Sequence, residues 1–124
     1  MEKKILIVDD EKDWVQMLTM RLEHAGYQVE VAFDAVQAVM QVVQGKPDLM
    51  LLDIMMPAGG GLEALKNIRA NVKTFSLPTV VMTAKGDDRK TKEAAEKLGV
   101  SGYFAKPVDM DKLLEKIKEI LIKK

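Results

Sequence analysis

The stretch Leu49-Met50-Leu51-Leu52-Asp53-Ile54-Met55-Met56-Pro57 constrains the chain more than any other. Four apolar residues run without interruption into one carboxylate. Such a run, bounded by turn residues, suits a strand buried on both faces of a parallel sheet. Pro57 prevents further pairing. Asp53 is thereby placed where a buried strand rises into a loop at its carboxyl end, the edge of an open α/β sheet at which ligands bind.

The rest of the chain supplies the partners that such a strand needs. Ile5-Leu6-Ile7-Val8 reads as a first strand ended by Asp9-Asp10-Glu11. Apolar residues at helical spacing follow from Trp14 to Ala25, and Gly26 stands where a C-terminal cap belongs. Gln28–Ala32 alternates as a half-exposed edge strand does. Asp34 with Gln37 resembles a capping box for a second helix, closed by Gly45-Lys46-Pro47. A third helix is expected from about Leu62, a fourth strand over 78–83 and a charged fourth helix over 87–98. Gly102–Lys106 reads as a short fifth strand, and Asp109 as the cap of a last helix with Met110, Leu113, Ile117 and Ile120 facing inward. Five strands alternating with five helices imply an α/β fold: a doubly wound parallel sheet joined by right-handed crossovers.

Composition narrows the function. Lys+Arg and Asp+Glu are both 19, so no net field draws in nucleic acid or an anionic membrane. The absence of cysteine removes disulfides and thiolate metal sites. No apolar run approaches the roughly 20 residues of a membrane span, and the start is too soon acidic for a signal peptide. The expectation is a cytoplasmic single domain over 1–124, without an output domain, without direct contact to nucleic acid and without a membrane.

The polar groups of chemical use fall on one edge of the sheet. Strand one ends in Asp9-Asp10, strand three in Asp53, strand four in Thr83 and strand five in Lys106. Each has an ordinary explanation alone, as a helix cap or a surface residue. Their convergence does not. Clustered carboxylates repel unless a cation shares them. A hard divalent ion such as Mg²⁺ suits, being held by one or two carboxylates plus substrate phosphate. A hydroxyl and a lysine beside it complete a phosphoryl-binding set, with one carboxylate free to act as nucleophile.

Ile5-Leu6-Ile7-Val8-Asp9-Asp10, Leu51-Leu52-Asp53-Ile54-Met55-Met56-Pro57, Met82-Thr83-Ala84 and Tyr103-Phe104-Ala105-Lys106-Pro107 together resemble the receiver domain of bacterial two-component response regulators, like the chemotaxis regulator. The resemblance spans the whole chain. It implies a flavodoxin-like (βα)5 fold with strand order 2-1-3-4-5. It implies that Asp53 accepts a phosphoryl group, and that Asp10 and Asp53 ligate Mg²⁺ with Asp9 acting mainly through water. The backbone carbonyl of Met55 is a further ligand. Thr83 and the amide of Ala84 bind phosphoryl oxygens, and Lys106 neutralises the remaining charge. A cis Lys106–Pro107 peptide is expected. Thr83 and Tyr103 are the switch pair, with Tyr103 turning inward from solvent.

The implied partners are a histidine kinase or histidine phosphotransfer protein upstream. Downstream, a protein docks on the face of helix four, strand five and helix five. The domain is then not an enzyme but a phosphoacceptor that promotes its own phosphorylation and dephosphorylation. One departure stands out. Ala58-Gly59-Gly60-Gly61 replaces the bulky and acidic or amide residues usual after Pro57, and predicts a looser loop beside the site.

Enzymes on the same fold and a bare scaffold fit the residues less well. A phosphohydrolase resembling the haloacid dehalogenases has a second aspartate two residues after the nucleophile, where Met55 stands. A dinucleotide enzyme lacks support, since no G-x-G-x-x-G follows strand one. A scaffold that kept only the fold is expected to have lost at least one of Asp9, Asp10, Asp53, Thr83 or Lys106, and all are present.

Overall fold

Every apolar residue of three strands is buried. β1 (Lys4–Val8), β3 (Leu49–Asp53) and β4 (Thr79–Thr83) form the sheet's interior, and β3 and β4 are buried throughout. β2 (Gln28–Ala32) and β5 (Gly102–Ala105), which carry polar or small residues, take the edges. The structure is a computed structural model that describes residues 2–56, 60–84 and 89–123. The strands pair in the order β2-β1-β3-β4-β5, all parallel. This is the order the resemblance implied.

Alternation along the strands divides the core into two layers. Ile5, Ile7, Leu49, Leu51, Val80 and Met82 face one side. There they meet Val15, Leu18 and Leu22 of α1 (Lys12–His24) and Leu113, Ile117 and Leu121 of α5 (Met110–Lys123). Leu6, Val8, Met50 and Leu52 face the other side, against α2 (Ala35–Gly45) and α3 (Gly60–Ala70). α4 (Arg89–Lys97) buries only Ala95, against Ile54 and Val81.

The helix ends follow local chemistry. Gly26 takes φ +99° just beyond α1, a conformation glycine adopts without steric cost. Asp34 Oδ1 accepts the amide of Gln37 at 2.8 Å. The Gln37 side chain in turn accepts the Phe33 amide at 2.9 Å, one residue earlier than the usual reciprocal bond. Asp109 Oδ1 accepts the Lys112 amide at 3.2 Å.

α3 begins earlier than its apolar spacing predicted. Gly60 and Gly61 form its first turn instead of extending the preceding loop, and Gly61 is buried. Tertiary packing overrides the low helix propensity of glycine here. The expected looseness therefore does not extend to these two residues. Pro57, Ala58 and Gly59 lie outside the described residues, as do Lys85 and the expected start of α4 at Asp87.

At the far end of the sheet, Arg69 ties α3 to the turn before β5. Its Nε donates to Leu98 O at 2.6 Å and its Nη2 to Thr79 Oγ1 at 3.3 Å. Burial pushes its guanidinium below its ordinary pKa.

Candidate functional site

Strand register builds the site. Val8 pairs with Leu52, so Asp9 lies one step beyond β1 at the level of Asp53. Asp53 pairs with Met82, and Thr83 pairs with Ala105. Thr83 therefore stands one step beyond the level of Asp53, and Lys106 two steps beyond it. Four residues distant in sequence are brought to one edge because every strand runs the same way.

Asp9, Asp10 and Asp53 each offer a carboxylate oxygen, and these atoms lie within 4.8 Å of one another. Asp9 and Asp53 are buried, while Asp10 is exposed. Lys106 reaches across the group. Its Nζ is 2.6 Å from Glu11 Oε1, 2.9 Å from Asp9 Oδ2 and 3.4 Å from Asp53 Oδ2. Two backbone amides fix the buried carboxylates. Glu11 N–H donates to Asp9 Oδ1 at 2.9 Å, and Met55 N–H donates to Asp53 Oδ1 at 3.0 Å.

The electrostatics follow. Burial pushes the Asp53 carboxyl above its ordinary pKa; the Met55 amide lowers it, the Asp9 charge raises it and Lys106 lowers it, and the net direction is upward. Burial works against the Lys106 ammonium. Hydrogen bonds to Asp9 and Glu11, with the charges of Asp9 and Asp53, outweigh burial and raise its pKa, so it remains protonated at neutral pH. Among the described residues, Lys106 bridges Asp9, Glu11 and Asp53, and Asp10 adds a fourth carboxylate to the group. The donor set is all oxygen, crowded and negative in excess. It fits a hard divalent cation better than any softer metal.

The remaining predicted positions are placed as follows. The Thr83 side chain is buried at the end of β4, and Ala84 is exposed just beyond it. Met55 is 36% exposed beside Asp53. The Lys106–Pro107 peptide is cis. Tyr103 stands apart from the carboxylates and is not turned to solvent. It is partly buried, packed against the cluster of Ile54, Val81 and Ala95, with its hydroxyl buried. Lys92 Nζ lies 5.7 Å from the ring centroid, within cation–π range.

Three further residues neighbour the site. Glu11 binds Lys106, the Trp14 ring lies 5.8 Å from Lys106 Nζ, and Gly61 packs under Asp53. Glu11 carries a signal of its own: a glutamate at an N-cap position, where shorter polar side chains are preferred.

A family model described as the response regulator receiver domain matches residues 5–118. The phosphate regulon transcriptional regulatory protein PhoB of Pseudomonas aeruginosa is 36% identical over 119 residues, covering 96% of this chain and 52% of that protein. The response regulator ArlR of Staphylococcus saprophyticus is 36% identical over 118 residues, with 95% and 52% covered. The chain thus spans about half the length of these curated relatives. A CheY-like receiver domain protein from Methanospirillum hungatei superposes with a TM-score of 0.91 at 30% identity, covering 99% of this chain and 96% of that one. The chemotaxis response regulator CheY4 of Vibrio cholerae gives 0.87 at 28% identity, covering 98% and 100%. Among the described residues, no helix is long and apolar enough to cross a membrane. On its domain match and its five-stranded 2-1-3-4-5 sheet, this chain belongs to the family of response regulator receiver domains.

Proposed function

We propose that the chain is a phosphorylation-dependent signalling switch whose acceptor is Asp53. The observation that carries this is the grouping of Asp9, Asp10 and Asp53 within 4.8 Å, with Lys106 Nζ spanning Asp9 and Asp53. A carboxylate held by the Met55 amide and faced by a fixed ammonium is suited to attack phosphorus in line. An Asp53 oxygen bonds to phosphorus as the bond to the leaving group breaks. The donor is a phosphohistidine of a kinase or phosphotransfer protein, releasing imidazole, or acetyl phosphate, releasing acetate. Water attack on the same phosphorus returns the carboxylate and inorganic phosphate.

Lys106 binds an equatorial oxygen and offsets the charge that remains. Thr83 and the Ala84 amide take the others. Asp10, Asp53 and the Met55 carbonyl would hold Mg²⁺, with Asp9 through water. When bound, Mg²⁺ neutralises phosphoryl oxygens and so favours transfer in both directions. The domain thereby promotes its own phosphorylation and dephosphorylation without being an enzyme for a separate substrate.

Downstream, the docking face is α4, β5 and α5, where Lys90, Lys92 and Lys112 are exposed and Tyr103 is packed. A partner there prefers one phosphorylation state, and can shift the equilibrium only by its differential affinity for the two. The experiment is intact-mass measurement after incubation with Mg²⁺ and acetyl phosphate. Wild type gains one phosphoryl group and Asp53→Ala gains none. Equal labelling of both proteins removes Asp53 from the role.

A further inference from the structure

Lys106 is shared unequally among its three carboxylates. The shortest contact is to Glu11, at 2.6 Å, and the longest is to the acceptor Asp53, at 3.4 Å. The partners also differ in exposure: the side chain of Asp9 is 0% exposed, that of Asp53 7% and that of Glu11 59%. Asp9 is thus a fixed anchor and Glu11 a solvated one.

Glu11 occupies the N-cap of α1 but makes no capping bond with its side chain. N-caps favour Ser, Thr, Asp and Asn, whose short side chains reach the free amides of the first turn. Glu11 leaves those amides unserved. Its carboxylate turns to Lys106, and its own N–H holds Asp9 Oδ1. The residue serves the site at the expense of the helix.

We infer that Glu11 is a positioning residue that holds Lys106 in reserve and so slows phosphorylation of Asp53. The inference rests on Asp53 being the acceptor. A phosphoryl group arriving there brings about two negative charges and new acceptor oxygens. Nζ must move from its present place toward those oxygens. Asp9, buried and doubly bonded, does not follow or release. Glu11 is the partner whose hold must be broken. Its exposure screens that hold and keeps the effect modest.

The test is the initial rate of Asp53 labelling by acetyl phosphate at fixed Mg²⁺, read by intact mass. Glu11→Gln keeps the shape and removes the charge. It is expected to label about two- to fivefold faster than wild type, the size of an exposed ion pair. The comparison is repeated with Lys106→Ala, where labelling is slow and is followed to its own initial slope. With no ammonium to release, the gain from Glu11→Gln falls to near unity. Binding of beryllofluoride, followed through Trp14 fluorescence, should tighten by the same factor in Glu11→Gln. An equal gain with and without Lys106 overturns the inference, because Glu11 then acts by charge alone. So does a rate in Glu11→Gln no faster than wild type. These failures leave the acceptor intact; labelling of Asp53→Ala would instead remove the acceptor itself.

Discussion

Gly61 packs so closely beneath Asp53 that a Cβ at Gly61 would stand 2.5 Å from the Asp53 carbonyl oxygen and 2.6 Å from the Ile54 Cα. Both contacts are with backbone, which cannot swing aside as a flexible side chain can. Gly61→Ala should therefore displace β3's end or the start of α3, costing roughly 1–3 kcal/mol. Urea unfolding reads that loss, and labelling at Asp53 should fall with it. At Gly60 an added Cβ meets only the Ala35 Cβ, at 3.2 Å. Gly60→Ala should stay within about 1 kcal/mol of wild type, since improved helix propensity offsets the tight contact. Equal effects at both positions would contradict the close approach at Gly61.

The two aspartates after β1 should behave differently without metal. Asp9 is buried and bonded to both Lys106 and the Glu11 amide. Asp9→Ala leaves those donors short of an acceptor and should cost about 1–3 kcal/mol. Asp10 is exposed, adds only repulsion to its neighbours, and its replacement by Ala should raise the urea midpoint. For Mg²⁺ the order reverses. Asp10→Ala should weaken binding more than Asp9→Ala does, as read by Trp14 fluorescence beside Lys106. Wild-type affinity in Asp10→Ala would rule it out as a direct ligand.

Arg69 offers a stability test remote from the chemistry. Arg69→Ala removes the donors to Leu98 O and Thr79 Oγ1, and should destabilise by about 1–3 kcal/mol in urea unfolding. Arg69→Lys should not restore it, because one ammonium cannot reproduce the planar fork. Full recovery with lysine would mean that charge, not geometry, holds α3 to that turn.

Coupling to the output face can be followed at Tyr103. Beryllofluoride on Asp53 should shift backbone amide resonances at Thr83, Tyr103 and along α4. Tyr103 already packs against Ala95, and Lys92 lies over its ring, so the response is a change in that packing, not entry from solvent. Shifts confined to the surroundings of Asp53 would break the proposed link.

The framework was legible where burial is total. The unbroken apolar runs of β1, β3 and β4 mark three strands, whose carboxyl ends point to Asp9, Asp10, Asp53 and Thr83, and the short β5 adds Lys106. What could not be read depends on contacts made in space. Glu11 and Lys106 are 95 residues apart, and no local pattern signals their bond. The start of α3 lies two residues before its apolar spacing begins, because Gly60 and Gly61 carry no side chain to show it and Gly61 is required by the Asp53 backbone. The packing of Tyr103 depends on Ile54, Val81 and Ala95, which come from other elements of the fold. Strand order came from the family resemblance, since spacing alone permits other windings.

The all-parallel sheet has a kinetic consequence. Ile5 pairs with Val29 on one side and Leu49 on the other, and Val81 with Tyr103. Among the described residues, no strand has its hydrogen-bonded partner across a tight hairpin, so each ladder must wait for an intervening helix to be crossed. Closing each of these loops costs entropy before any pairing offsets it. β1 acquires both neighbours only after the chain has doubled back twice, which makes this domain slower to fold than a helical bundle of similar length.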